Sequence, residues 1–244
     1  MKRYVHAFAM CQSMFCAIPC PWKIWDEEAK DKMLLFLPLV GLEIGAIWAL
    51  LSWLCERFCL PDLVTGLILC ACPYILTGFI HLDGFMDVTD AVKSCRDQER
   101  RRQILKDPHV GSFGVIGFGL LLLAQFVFLA CGTGNHRILI FIPAVSRCCS
   151  ALAVTGLRPM ATSQYAHRSC SRTHLVVLAA QLLACLGAGA LLCGWNALAL
   201  LGCLLGFAVA LCRGYRSLGG MNGDISGYAL TLGELCALAV YGLI

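Results

Sequence analysis

Residues 77–90 read TGFIHLDGFMDVTD, with Asp83, Asp87 and Asp90 spaced i, i+4, i+7. On a helix turning ~100° per residue, the three fall within an arc of about 60°. Like charges in line repel and oppose helix formation, and capping a helix needs one acid rather than three. A hard divalent cation removes the repulsion. Carboxylate oxygens are the ligands Mg²⁺ takes, usually shared with substrate phosphates. Gly84, next to Asp83, permits the close backbone approach that phosphate-handling segments often require. The strip reads as a Mg²⁺–diphosphate site with Asp83, Asp87 and Asp90 as metal ligands.

Cations follow at once, in ERRRQILKDPHVGSFG. Arg100, Arg101, Arg102 and Lys106 suit phosphate oxygens, although Arg100–Arg102 could serve orientation in a membrane alone. Lys106 and Asp107 are adjacent opposite charges at the start of an apolar run, where unpaired groups are expensive. Pro108, Gly111 and Gly114 give a tight turn before that run. Arg147, in IPAVSRCC, lies near the middle of another run, where a charge costs about 2.5–3.5 kcal/mol. It should face the interior and pair with a phosphate or with an acid, Glu43 and Glu234 being the other charges within the runs. Asp224 sits in GGMNGDISG, whose backbone N–H groups, Gly223 included, could cradle an anion or could simply join two helices.

The elements that hold these residues are set by composition. The chain has 244 residues, 59% of them apolar and 14% charged, with a mean hydropathy of +0.76; a soluble domain carries about 25% charged residues. Runs of about 20 apolar residues cross ~30 Å of hydrocarbon as helices. Seven occur, at about 34–56, 61–80, 111–131, 137–157, 174–193, 195–212 and 228–244. They lack the alternation of outer-membrane strands, so the expected fold is all-α, a polytopic integral membrane protein and a single domain over 1–244. Residues 4–25, YVHAFAMCQSMFCAIPCPWKIW, read as a short amphipathic segment at the membrane surface that ends in a Trp22/Trp25 anchor. The 17 cysteines form no Cys-x-x-Cys pair and read as reduced packing residues. With the N-terminus inside, segments 1–33, 81–110, 158–173 and 213–227 are cytoplasmic and hold 16 of the 19 Lys and Arg, as the positive-inside rule requires. All the polar chemistry then falls on the cytoplasmic face.

Taken together, TGFIHLDGFMDVTDA, ERRRQILKDPHVGSFGV, the in-span PAVSR and GGMNGDISG followed by Glu234 resemble the cobalamin synthases, the adenosylcobinamide-GDP ribazoletransferases. The likeness covers residues 14 to about 236 in order and spacing. Departures are Leu105 for the family's usual Met, Asn222 for its usual Thr and Tyr228 for its usual Ala. The resemblance implies a Mg²⁺-dependent enzyme of the cytoplasmic membrane. Its substrates would be adenosylcobinamide-GDP and α-ribazole or its 5′-phosphate, with GMP released and no nucleic acid involved. It implies Asp83, Asp87, Asp90 and Asp224 as metal ligands, and Lys106, Arg147 and Arg100 set against the phosphates. Gly84, Asp107 and Gly223 would line the substrate site. His81 or one of the Asp residues would take the proton of the ribazole hydroxyl. Gly187 and Gly189 permit close helix contacts and hence a homo-oligomer.

Two other enzyme classes use similar strips. A CDP-alcohol phosphotransferase expects Ala-Arg after its Asp-Gly pair and a second Asp pair, whereas Asp83-Gly84 is followed by Phe-Met-Asp. Membrane aromatic prenyltransferases carry two separated strips. An ion-coupled transporter would spread its polar residues over several spans and show an inverted repeat; the charges here cluster on one face.

Overall fold

The apolar runs form helices bounded by turn residues. The computed structural model describes residues 2–22, 24–132, 135–161, 163 and 171–244. Helix α1 (Lys2–Phe15) precedes a 3₁₀ turn (Lys30–Phe36) that leads into α2 (Leu37–Arg57). Pro38 sits in the first turn of α2, where its missing N–H has no intrahelical partner to lose. There follow α3 (Asp62–Leu76), α4 (Ile80–Lys93), the short α5 (Gln98–Ile104), α6 (Ser112–Cys131) and α7 (Ile138–Gly156). The chain ends with α8 (Arg172–Cys193), α9 (Leu198–Leu218) and α10 (Gly223–Leu243). No strand occurs among the described residues.

Five stretches are long and apolar enough to cross a membrane: Lys30–Arg57, Ser112–Cys131, Ile138–Gly156, Arg172–Leu218 and Gly223–Leu243. The fourth has 47 residues, about 70 Å if straight, more than twice the hydrocarbon thickness. It breaks at Gly194, whose φ is 56°. Just beyond the break, the Asn196 side chain accepts from the Asn135 backbone N–H near the start of α7. α8 and α9 are therefore two crossings. The seven expected runs become α2, α3, α6, α7, α8, α9 and α10, and the chain is an all-α, multi-pass membrane protein. The expected polar segment 213–227 is mostly helix, since α9 and α10 extend to within four residues of each other. Of the expected polar segment 158–173, residues 162 and 164–170, Arg168 among them, lie outside the described residues, as does Lys23.

One span departs from expectation. The run expected over 61–80 ends at Leu76, and α4 leaves α3 at 92°. Gly78 and Phe79 are both left-handed, with φ of 58° and 63°, and the Thr77 hydroxyl donates to the Pro73 carbonyl at 2.9 Å. α3 is thus only about 22 Å long, and α4 does not continue its crossing but packs against α10 and α6.

α7 forms the axis of the bundle, buried on all sides, with α2, α8, α9 and α10 against it. At Gly41 and Gly45 of α2, a Cβ would stand 2.5 Å from the Pro143 carbonyl and 2.3 Å from that of Ile140; small residues let helix backbones touch where apolar lipid supplies no hydrophobic drive. α6 and α8 turn Phe113, Ile116, Leu120, Leu183 and Leu191 outward, as hydrocarbon surroundings allow. The expected surface segment is α1, which buries Ala7, Met10, Cys11 and Phe15 against the 3₁₀ turn and α2, while Trp22 and Trp25 are exposed. Ala17 N donates to the Leu76 carbonyl at 2.7 Å, so the end of α1 is tied beside the α3–α4 bend. Every described cysteine is free.

Candidate active site

α4 carries the acidic strip and lies between α10 and α6. Gly84 makes its seat: a Cβ there would meet the Asp224 Cα at 2.9 Å and the Asp224 carbonyl at 3.0 Å. The close approach expected at Gly84 is therefore to the backbone of α10, which brings Asp224 to the strip. Asp83 is exposed, Asp87 and Asp224 are half-buried and Asp90 is buried. Burial, then the charges of Asp83, Asp224 and Asp90, push Asp87 up from its ordinary 3.8 to about 6. No ion pair among the described residues involves any of the four. The acids thus lie within each other's field and lack a cation.

Whether they suit Mg²⁺ turns on donors and spacing. The set is all carboxylate oxygen, as a hard cation prefers. Yet no three His, Cys, Asp or Glu side chains among the described residues are grouped so as to hold a metal by themselves. Helical rise explains this, since Asp83 and Asp90 are separated by about 10 Å along α4. The residues fit an ion that takes one or two carboxylates and completes its shell with water and substrate phosphate.

His81, one turn from the bend, is buried with its ring stacked on Phe15, centroids 6.0 Å apart and planes 10° off parallel. Its Nε2 has no hydrogen-bond partner. Burial and then the Arg147 charge lower its pKa from 6.5 to about 3, so the ring is neutral. It lines a largely enclosed cavity of about 100 Å³ with Phe15, Ser150, Asp224 and Ser226 among the walls. Beside it, sharing Met14 and Ile80, is an open cleft of about 490 Å³ that also takes in Ser13, Thr77, Phe79 and Asp83. Cavity and cleft together place His81, Asp83 and Asp224 around one region under the end of α1. Ser150, Ser226, Met14 and Phe15 were missed by sequence reasoning. Ser226 alone had a signal, being two residues past Asp224.

The basic residues divide. Lys106 is exposed and not paired with Asp107; instead Asp107 accepts from the His109 backbone N–H at 3.0 Å and bonds its Nδ1 at 2.8 Å. The exposed Arg100 bonds Gln103 at 2.7 Å on α5, whose N-cap is Asp97. Arg102 Nε donates to the Leu218 carbonyl at 2.7 Å, satisfying the C-terminus of α9, a structural task rather than a phosphate contact. Gly223 opens α10 and Asn222 caps it, its Oδ1 accepting from Ile225 N at 2.9 Å; Asn222 Nδ2 also holds Asp224 Oδ2 at 2.7 Å. The expected cradle is thus a helix N-terminus, with Gly223 and Asp224 on the cavity wall.

Arg147 stands apart from all of these. Only 1% of it is exposed; Nη1 donates to Glu234 Oε1 at 2.9 Å and to the Pro143 carbonyl at 3.2 Å, and Ser146 Oγ donates to the same Glu234 oxygen at 2.7 Å. Of the two partners expected for it, an acid or a phosphate, the structure supplies the acid. The guanidinium lies within the bundle, paired with Glu234, while its Nε is buried with no hydrogen-bond partner.

Comparison with known proteins adds the family. The family model described as cobalamin-5-phosphate synthase matches residues 7–242. A Clostridium perfringens protein named adenosylcobinamide-GDP ribazoletransferase is 37% identical over 252 residues, covering all of both chains. Proteins of the same name from Clostridium botulinum and Desulfitobacterium hafniense are 33% and 34% identical, covering 98% and 91% of this chain and 97% and 89% of their own. No solved structure matches.

Proposed function

The chain belongs to the cobalamin-5-phosphate synthase family, and from that premise we propose that it joins adenosylcobinamide-GDP to α-ribazole or α-ribazole 5′-phosphate, releasing GMP. The observation that carries this reading is the set of uncompensated carboxylates at one end of a membrane bundle, beside a cleft. A ribazole hydroxyl oxygen bonds to the phosphorus on the cobinamide side of the diphosphate. The bond from that phosphorus to the bridging oxygen breaks, GMP carries the electron pair away, and the hydroxyl proton is lost to a base.

Asp83 and Asp87 would hold Mg²⁺, with Asp224 beside them, and the ion when bound would offset the charge of the diphosphate oxygens. Lys106 and Arg100, exposed and outside every ion pair among the described residues, would meet the departing GMP. His81 is a poor proton acceptor with a pKa near 3. Its free Nε2 hydrogen-bonds the acceptor instead, and the proton goes to a carboxylate of the strip. The acid end faces the cytoplasm, because most Lys and Arg lie on the segments at that end.

The reading is tested with the full-length protein in nanodiscs, adenosylcobinamide-GDP, α-ribazole and Mg²⁺. GMP and a cobalamin should appear, and turnover of CDP-diacylglycerol instead would overturn the assignment. Asp83→Asn should lower kcat by about 100-fold or more. His81→Gln should lower it less than about tenfold, whereas loss of a true general base removes about 10²–10⁴.

A further inference from the structure

Asp90 looks from its spacing like the third ligand of a metal strip, but its surroundings in the fold give it another task. Its Oδ2 accepts a hydrogen bond from Gly111 N at 2.8 Å. Gly111 is the N-cap residue of α6, a 20-residue span, and the carboxylate lies against its first turn. A Cβ at Gly111 would stand 2.4 Å from Asp90 Oδ1, and one at Gly114 would stand 2.4 Å from Oδ2. Both oxygens are therefore wedged against glycines, in a residue only 7% exposed. Gly111 supplies no side-chain oxygen of its own to cap α6, and Asp90 satisfies a terminal N–H from across the fold. Its negative charge also meets the positive end of the α6 dipole. About 10 Å of helix rise separates it from Asp83.

We infer that Asp90 is a positioning residue that docks the N-terminus of α6 onto α4, holds the Lys106–Gly111 segment beside the acids and does not ligate the cation. The inference rests on the proposed Mg²⁺-dependent transfer and divides the strip by role: Asp83 and Asp87 bind, Asp90 anchors. It also accounts for Gly111 and Gly114, whose missing side chains make room for the carboxylate.

The test uses Asp90→Asn, which keeps an acceptor oxygen and loses the charge, and Asp90→Ala, which loses both. Backbone amide exchange at Gly111–Ser112 is followed by mass spectrometry on the full chain without Mg²⁺ or substrate. Exchange should rise about 10- to 100-fold in Asp90→Ala, the factor expected when a hydrogen bond to a charged group is lost, and much less in Asp90→Asn. In turnover, Asp90→Asn should keep its half-saturating Mg²⁺ concentration within about threefold of the unmodified protein, whereas weakened metal binding shifts affinity about 10- to 100-fold. Asp90→Ala should lose kcat with the Mg²⁺ midpoint unchanged, and Gly111→Ala should reproduce it. A tenfold rise in the Mg²⁺ midpoint of Asp90→Asn would make Asp90 a ligand and overturn the inference, as would native exchange rates in Asp90→Ala. If Asp83→Asn leaves the midpoint unchanged, the Mg²⁺ reading of Asp83 fails instead, and the exchange data still decide on Asp90.

Discussion

Replacing both members of the Arg147–Glu234 pair by apolar residues, Arg147→Met with Glu234→Leu, should leave a folded protein that still turns over. The singles should be unequal. In Glu234→Leu the guanidinium keeps its charge, because arginine does not deprotonate in proteins, and it is left 1% exposed with only the Pro143 carbonyl. Breaking a buried pair in this way costs about 3–5 kcal/mol, or roughly 6–20 °C in Tm for a chain of this size. In Arg147→Met the loss should be smaller, because Glu234 retains the Ser146 hydroxyl. The double variant removes both charges, and apolar replacement of a buried pair is often neutral, so its Tm should return to within a few degrees of the parent. Thermal unfolding in nanodiscs gives the cycle, and GMP release from adenosylcobinamide-GDP gives activity, expected within about threefold of the parent because neither side chain lines the cavity. A double variant that unfolds at the parent temperature and yet releases no GMP would refute the reasoning and return Arg147 to the phosphates.

Two further outcomes follow from the seat and charge of α4. Gly84→Ala should separate α4 from α10, because its Cβ would meet Asp224 backbone at 2.9 Å; about 1–3 kcal/mol of stability should be lost, and turnover should fall at saturating substrate while Gly187→Ala, in open space, changes neither. Asp87 binds its proton more tightly folded than unfolded, about 6 against 3.8, so it detracts nothing below pH 3.8 and detracts increasingly as pH rises to about 6. In metal-free protein, Asp87→Asn should therefore match the parent in Tm at pH 4 and exceed it at pH 7.5, and an equal difference at both values would count against the acidic cluster.

The spans and the strip were legible because each depends on local pattern. Long apolar runs fixed α2, α6, α7, α8 and α10 to within a few residues, except that α10 begins five residues early. The i, i+4, i+7 spacing placed Asp83, Asp87 and Asp90 on one helix. The bend at Thr77–Phe79 was not read, although Pro73 and Gly78 both mark it, because the apolar run continues across it to Ile80. The partners were not legible at all, since nothing near Phe15 points to His81, nothing near Arg102 to Leu218, and nothing near Gly111 to Asp90.

That last pairing bears on how such a strip should be read. Helical periodicity reports direction around an axis, and three acids on one arc look equivalent by that measure. It says nothing of distance along the axis or of what packs against each position. Here the neighbours of α4 change along its length: α10 crosses at Gly84 and brings a fourth carboxylate, while the start of α6 meets Asp90 and supplies a backbone N–H. The end of the strip that gains a like charge is left needing a cation, and Asp87 there is pushed up to about 6 by burial and then by the charges of Asp83, Asp224 and Asp90. The end that gains a helix N-terminus has its charge met by the fold. The same residue type at regular spacing thus serves binding at one end and architecture at the other, and the two glycines before and within α6 are the local trace of that division.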